Sequence, residues 1–499
     1  MTSSSSSLDR TTRTRLLAAL ACLHRTMCDS VRQNQSLLAN VHPKQALGAV
    51  NLLQYLAFRA CDVRQLQDEL HVLGLSSLAS AESHICAQIE QTMHRLGWRG
   101  KDSGICTCQR GKASLDAHTR RLFGAKQKGA VTHIMVTLDE RCGGDVELLV
   151  SALQRGMRIA RINCAHADRG TWLRWIANLH SAVEQSRLPC KLYMDLPGPK
   201  MRMQLVGGLG KKGRIKIRPG DEILLVEDGS TASPDIKTIA CQEAGIVAQL
   251  SDGNQVLIDD GKYAGEVVHR DGECFLRITR VTGNQPRLVN DKGINFPGVE
   301  LQLPIITHTD AGLLPFIAEH ADMMGCSFVR SRQDVATLRA ALASYPRCPD
   351  LILKIETPEA VLHLPELLLE AMQDRSCGVM IARGDLAVEL GFTHLNDVQD
   401  KILWLCEAAH VPVIWATQVL ESLQKTGLAT RSEITDAAHA FKAECVMLNK
   451  GDYLLETLET LQDILHRTDA HRMKKRYNLR PLTVAVEFFQ RHQPDAGTG

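Results

Sequence analysis

The sequence predicts an α/β chain: a (β/α)8 TIM barrel carrying an inserted small β-barrel lid domain, preceded by an all-α N-terminal region. Three observations predict it. From Val131 onward, eight short apolar runs rich in β-formers alternate with segments of helical length and periodicity. Nearly all of those runs end in a polar or charged residue. Between Arg202 and Pro304 the rhythm breaks into short alternating runs separated by turn signals. Buried parallel strands read as continuous apolar runs because both faces are covered. Helical returns covering the outside point to a closed barrel.

Taken in order, residues 1–109 read as a helical N-terminal extension. The run Ser3 to Ser7, followed by Arg10, Arg13 and Arg15, is read as a tail before a helix rather than a transit peptide. Leu16, Leu17, Leu20 and Leu23, then Leu52, Leu53 and Leu56, then Leu66 and Leu70, recur at helical spacing. Gly74-Leu75 followed by Ser76 and Ser77 marks one helix ending at a glycine and another starting at a serine cap. No ligand-like cluster is expected here, and His24, His71 and His84 are read as packed or solvated. Residues 110–130, rich in glycine and lysine, are read as a linker. The first part of the barrel spans 131–202, with runs beginning near His133, Arg158 and Lys191. Residues 203–304 carry Pro219-Gly220-Asp221, Asp252-Gly253-Asn254, Asp259-Asp260-Gly261 and Asp271-Gly272, the marks of a small antiparallel domain. Inserted after the third strand, it lies on the catalytic side, where it would act as a lid. The second part of the barrel spans 305–470, with runs near Asp322, Leu351, Gly378, Val411 and Glu444. The tail, 471–499, opens on a basic stretch, His471 to Arg476, read as a solvated helix face.

Composition removes several function classes. With 499 residues, 44% of them hydrophobic, the chain can bury a large core. A formal net charge of +2 without long single-sign runs argues against a nucleic-acid partner. No apolar stretch reaches the length of a membrane span. The 16 cysteines lack repeated C-x-x-C pairs, and Cys164, Cys326 and Cys445 sit inside apolar runs. Reduced thiols in a cytoplasmic protein are therefore expected. Cys106 and Cys108, near Cys86, are read as unrelated thiols rather than a redox or metal group.

Chemistry is expected at the carboxyl ends of the barrel strands, which face the active site of such folds. Those ends supply Arg161 and Asn163, Asp195, Ser327, Lys354 and Glu356, Asp385, Thr417, and Asn449. Glu356 and Asp385 suit Mg²⁺, which needs one or two carboxylates when substrate phosphate supplies more oxygens. Arg161 offers a planar fork for phosphate or carboxylate. Lys354 is a compact cation for a phosphoryl oxygen or an enolate. Gly384 and Asp385 open a short helix whose amides can hold an anion. A structural ion pair would explain any one strand end alone. Recurrence on strand after strand favours metal-assisted chemistry on a small phosphorylated or carboxylated substrate.

These residues, in this order, resemble pyruvate kinase over roughly Thr132 to Gly451. The resemblance rests on Gly156 to Asn163 (G-M-R-I-A-R-I-N) with His166, Asp195 to Arg202 (D-L-P-G-P-K-M-R), and Ile258-Asp259-Asp260-Gly261. It continues through Lys292 to Gly298 (K-G-I-N-F-P-G), Lys354-Ile355-Glu356, Ala382 to Leu386 (A-R-G-D-L), Ala416 to Ser422 (A-T-Q-V-L-E-S) and Thr430 to Glu433 (T-R-S-E). It implies phosphoryl transfer from phosphoenolpyruvate to ADP, giving pyruvate and ATP. Glu356 and Asp385 would then hold Mg²⁺, Lys354 would stabilise the transferring group and the enolate, and Arg161 would grip the phosphate. Thr417 would help deliver the proton, and Gly384 would line the substrate site. Arg202, His166 and Lys292 would face the nucleotide, while Asn163 and Asp195 would line the family's monovalent-cation pocket. A homo-oligomer is compatible with the resemblance.

Departures from the family pattern carry expectations of their own. Ala165 stands where potassium-dependent members have a serine, and Lys200 where they have a glutamate. Lys200 is expected to replace K⁺ as the local positive charge, so that K⁺ is not required. Asp139-Glu140 replaces a Gly-Pro, and Asn449-Lys450-Gly451 replaces Ser-Gly-Glu. The family's C-terminal effector domain has no counterpart after Asp452, so sugar-phosphate activation is expected to be absent. Two further readings fit part of the pattern: a pyruvate-enolate lyase or aldolase, and a catalytically inactive kinase-like metabolite sensor.

Overall fold

Eight parallel strands close on themselves in the computed structural model: β1 (His133–Thr137), β2 (Met157–Asn163), β3 (Lys191–Asp195), β4 (Met323–Cys326), β5 (Asp350–Ile355), β6 (Cys377–Ala382), β7 (Val413–Ala416) and β8 (Cys445–Leu448). Each pairs with its neighbours in sequence, and β1 pairs with β8 to complete the ring. The structure describes residues 9–469, apart from 104–105, 211–212, 228–234, 244 and 284–285, together with two short strands at Arg472–Met473 and Arg476–Tyr477. Ser3 to Ser7 lie outside the described residues.

The barrel interior is filled rather than open. Met135, Ile159, Tyr193, Met323, Ile352, Met380, Ile414, Cys445 and Met447 form one cluster with Leu122 and Phe123, none more than 2% exposed. Leu122 and Phe123 come from a helix that corrects one expectation. Cys108–Phe123 is helical where a linker was expected over 110–130. Thr107 caps it by accepting from the Arg110 amide, and Leu115, His118, Thr119, Leu122 and Phe123 form its buried side. The glycine that suggested a linker, Gly111, lies there because the backbone of Ser83 passes close; a Cβ would sit 2.4 Å from its carbonyl oxygen. Apolar spacing prevails over composition because the helix has a barrel to bury its face against.

The preceding helices, Arg10–Gln33, Ala46–Arg59, Arg64–Val72 and Ile85–Arg95, share a core with the barrel. The serine cap expected at 76–77 is corrected too. Leu78 and Ser80 have positive φ, and helix resumes only at Glu82. Ser76 Oγ accepts from the Leu78 amide, a local turn that competes with capping. Docking is polar as well as apolar. Asn51 Nδ2 donates to Glu82 O at 2.7 Å and Ala408 O at 2.8 Å, and His410 Nε2 donates to Ser83 O at 2.9 Å.

Burial pushes the His410 imidazole down to about 4. Its folded-state pKa lies below the unfolded value near 6.5, so its contribution is present above pH 6.5 and lost as pH falls towards 4. In urea melts, the stability difference between wild type and His410→Gln should shrink by ~3 kcal/mol from pH 7 to pH 4. A difference independent of pH would refute the neutral, buried assignment.

Between β3 and β4 the chain builds a second sheet with its own apolar core, including Met203, Ile223, Ile239, Val256, Val267 and Leu276. Its seven strands are Met203–Gly207, Glu222–Val226, Thr238–Cys241, Gln255–Ile258, Tyr263–Arg270, Glu273–Val281 and Ile294–Asn295. Ile215–Lys216 pairs with Arg287–Leu288 beside it. The expectation of a purely antiparallel insert needs one correction: Glu222–Val226 and Thr238–Cys241 run parallel. At the far end, the basic stretch expected as a helix face contains Arg472–Met473 paired antiparallel with Arg476–Tyr477. Six residues are too few to sustain a helix by themselves. Among the described residues no helix is long and apolar enough to cross a membrane.

Candidate active site

At the carboxyl ends of β2, β3 and β5, two cationic side chains and a buried phenol converge on one carboxylate. Asp195, the last residue of β3, is 1% exposed. It accepts from Arg161 Nη2 at 2.5 Å and Nε at 3.2 Å, from Lys354 Nζ at 3.4 Å, and from Tyr193 Oη at 3.0 Å. The register makes this possible, because Arg161 pairs with Tyr193 and Asn163 with Asp195 across β2 and β3. Arg161 also donates to Thr137 Oγ1 on β1 at 3.0 Å. Burial alone would raise the Asp195 carboxyl, but Lys354 and Arg161 outweigh it and hold the group below its ordinary value.

Lys354 points into the barrel mouth. Its ammonium donates to Ser327 Oγ at 2.7 Å and lies 3.1 Å from Glu356 Oε1. Burial would lower its pKa, yet Asp195 and Glu356 together prevail and keep it raised. Ser327 in turn donates to Leu196 O at 2.7 Å, which fixes its hydroxyl as an acceptor for the lysine. Glu356 Oε2 accepts from the Phe328 amide at 2.6 Å, and Phe328 adopts a positive φ of 57°. Desolvation pushes the Glu356 carboxyl up to about 6; Lys354 opposes the shift and the negative charge of Asp385 adds to it. A buried carboxylate with a second one close enough to raise it is a donor set suited to a hard divalent cation.

β6 and β7 contribute a second group. Gly384 N donates to Thr417 Oγ1 at 2.8 Å, so that amide is already engaged. Thr417, Gln418 and Leu420 all have positive φ, an uncommon run for non-glycine residues. Arg383 braces it. Its Nε donates to Ala416 O at 2.9 Å, Nη2 donates to Thr417 O, Nη1 meets Asp436 at 2.5 Å, and the guanidinium lies 4.6 Å above the Trp415 ring. Backbone strain held this firmly at a strand end marks a position whose side chain must point one way.

Other expected residues fall elsewhere. Lys200, expected beside Asn163 and Asp195, instead places its ammonium 2.6 Å from Asp385 Oδ1. Asn163 Oδ1 accepts from the Ala165 amide at 3.1 Å. Arg202 Nη1 donates to Asp291 O at 2.8 Å, and Lys292 Nζ pairs with Asp259 Oδ1 at 2.9 Å, both on the side of the inserted sheet. His166 is exposed, and desolvation of its ring together with Lys450, Arg202 and Arg161 lowers its pKa. That adds Lys450 to the cationic group, a residue noted in the sequence only as part of the Asn449-Lys450-Gly451 departure and not as a site residue. Its signal was there: a lysine one place beyond Asn449, past the end of β8. A cleft of about 460 Å³ separates insert from barrel, lined by Lys200, Asn295, Phe328, Arg330 and Glu389 among others. It is bridged where Asn295 Nδ2 donates to Glu389 Oε1 at 2.6 Å.

Comparison with known proteins gives a consistent picture. Residues 130–458 match the family described as "Pyruvate kinase, barrel domain". The pyruvate kinase of Geobacillus stearothermophilus is 32% identical over 332 residues, covering 65% of this chain and 54% of that protein. That of Eimeria tenella is 34% identical over 343 residues, covering 67% and 61%. A crystal structure of a pyruvate kinase from Cryptosporidium parvum superposes with a TM-score of 0.62 at 26% identity, covering 70% of this chain and 72% of its own. The chain thus spans little more than half the length of the bacterial relative it matches.

Proposed function

We propose, on the premise that this chain belongs to the pyruvate kinase family, that it transfers the phosphoryl group of phosphoenolpyruvate to ADP. The bond between phosphorus and the enol oxygen breaks, a bond to a terminal oxygen of ADP forms, and protonation of the released enolate gives pyruvate. The observation that carries this reading is the Lys354 ammonium, held in the barrel mouth by Ser327, Glu356 and Asp195 with Arg161 on the same carboxylate oxygen. Such preorganised cations stabilise charge where it develops, and phosphoryl transfer asks for little beyond that and positioning. Glu356 and Asp385 are the residues that would hold Mg²⁺, which when bound neutralises phosphate and carboxylate charge. Arg161 orients the phosphate. Thr417, fixed by the braced backbone, helps protonate the enolate. His166, Arg202 and Lys450 attract the nucleotide phosphates, with Lys292 further out on the insert. The inserted domain acts as a lid that keeps water from competing with ADP. Purified protein given phosphoenolpyruvate, ADP and Mg²⁺ should form pyruvate and ATP in equal amounts. Enolate chemistry without nucleotide would instead establish a lyase, and tight binding without turnover a sensor.

K⁺ is not required in this reading. Ala165 offers no hydroxyl ligand, and Lys200 already supplies a fixed positive charge to the acidic cluster through Asp385. Activity in buffer free of Na⁺ and K⁺ should be unaltered by added K⁺. The charge reversal Lys200→Glu should lower it roughly ten-fold or more by placing a third carboxylate beside the magnesium ligands. Strong stimulation of the wild type by K⁺ would refute the assignment.

A further inference from the structure

We propose that His24, Cys28, Cys86 and Glu90 form a tetrahedral site for a zinc-class divalent ion that fastens two helices of the N-terminal region together. His24 and Cys28 lie four residues apart on the helix Arg10–Gln33, and Cys86 and Glu90 four apart on Ile85–Arg95. That spacing puts each pair on one helix face. The helices pack so that the two faces meet. Donor atoms of His24, Cys28 and Cys86 all lie within 4.8 Å of one another. Glu90 lies beside this group, its Oε1 being 2.9 Å from His24 Nε2 and 3.7 Å from Cys86 Sγ, and would close on the ion as the fourth donor. Cys28 Sγ is 3.9 Å from His24 Nε2.

Those separations are close to the edges of a coordination tetrahedron. Metal–ligand bonds of about 2.0–2.3 Å place neighbouring donors roughly 3.3–3.8 Å apart. The histidine–glutamate edge would lengthen by well under an ångström, while the edges among His24, Cys28 and Cys86, each within 4.8 Å, would shorten by up to about an ångström. One nitrogen, two sulfurs and one carboxylate oxygen is a donor set for zinc rather than for a hard cation such as magnesium. Cys86 and Glu90 are each 1% exposed, while His24 keeps 22% of its side chain accessible, giving an ion a way in from solvent. An outer partner is in place as well. The Ser103 amide donates to Glu90 Oε1 at 2.8 Å and orients the carboxylate, as supporting hydrogen bonds do around metal ligands. Both cysteines are free thiols, so each releases its proton on binding and the ion takes up two thiolates. With all four protein donors used, the site is closed and structural.

The sequence concealed this group because the pairs are separated by 57 intervening residues, Asp29 to Ile85, and neither H-x-x-x-C nor C-x-x-x-E alone is a metal signature. The test uses the full chain, purified under reducing conditions, stripped with a chelator and titrated with Zn²⁺ and separately with Co²⁺. One ion per chain should bind, with the intense near-ultraviolet band of cobalt–thiolate bonds and the visible bands of tetrahedral Co²⁺. Cys28→Ser with Cys86→Ser should abolish the band. His24→Gln, which leaves both thiols and the helix intact, should weaken binding at least roughly ten-fold. Cys61→Ser, outside the group, should bind like wild type. Uptake no greater than that of the double cysteine variant overturns the proposal. So does a Cys28–Cys86 disulfide in the isolated protein.

Discussion

Lys354→Met lowers turnover by roughly a thousand-fold, the largest loss expected from any single side chain at the proposed site. The methionine fills nearly the same space, so what disappears is the ammonium and little else. Three acceptors lose a donor: Ser327 Oγ at 2.7 Å, Glu356 Oε1 at 3.1 Å and Asp195 Oδ2 at 3.4 Å. Asp195 keeps Arg161 and Tyr193, so its charge stays compensated. Glu356 does not. Already pushed up to about 6 by burial, it loses the cation that opposed that shift and moves further upward. A larger share of it is then protonated, which limits the cost to folding but weakens a magnesium ligand. The variant should therefore remain folded, show near-complete loss of kcat, and need more Mg²⁺ for what activity is left. Circular dichroism, a Mg²⁺ titration and single-turnover assays separate these effects. A folded variant with kcat within ten-fold of wild type would falsify the role given to Lys354.

What the sequence displayed was anything written as local period or as a strand end. The eight barrel strands were legible because parallel strands covered on both faces leave uninterrupted apolar runs. Arg161, Asp195, Lys354 and Glu356 were legible because each follows or closes such a run, where burial would otherwise exclude a charge. Pairings across the fold were not legible. Lys200 and Asp385 are 185 positions apart. Nothing in either motif says that the lysine meets the acid rather than the asparagine of β2. The helix Cys108–Phe123 was hidden for a related reason. Its glycine and lysines match a linker until the barrel floor that accepts Leu122 and Phe123 is known. The metal-donor group in the N-terminal helices belongs to the same class, since periodicity assigns a face but not the partner it meets.

Gly325→Ala should be the most destabilising single substitution near the site, although it adds one methyl group and touches neither proposed magnesium ligand. Gly325 lies in β4 opposite Asp195, and the Leu196 amide donates to its carbonyl at 3.0 Å. The strand approaches so closely that a Cβ would sit 1.9 Å from Tyr193 Oη and 2.2 Å from Asp195 Oδ1. Its φ is not in the left-handed region, so the objection is steric and not conformational. Tyr193 is wholly buried in the barrel centre and has no room to retreat. Displacing it breaks its bond to Asp195, and shifting Asp195 disturbs Arg161 and Lys354. Overpacking together with damage to a buried charged network amounts to roughly 3–6 kcal/mol, a large part of the 5–15 kcal/mol typical of a domain. Denaturant unfolding should show the loss directly. Tyr193→Phe in the same background removes the atom at 1.9 Å and should restore part of the stability. It should not restore turnover, because the methyl still presses on Asp195. Recovery of stability without activity is the coupling expected of neighbours sharing one network. A Gly325→Ala protein as stable as wild type would show that the tyrosine and aspartate are held less tightly than this packing requires.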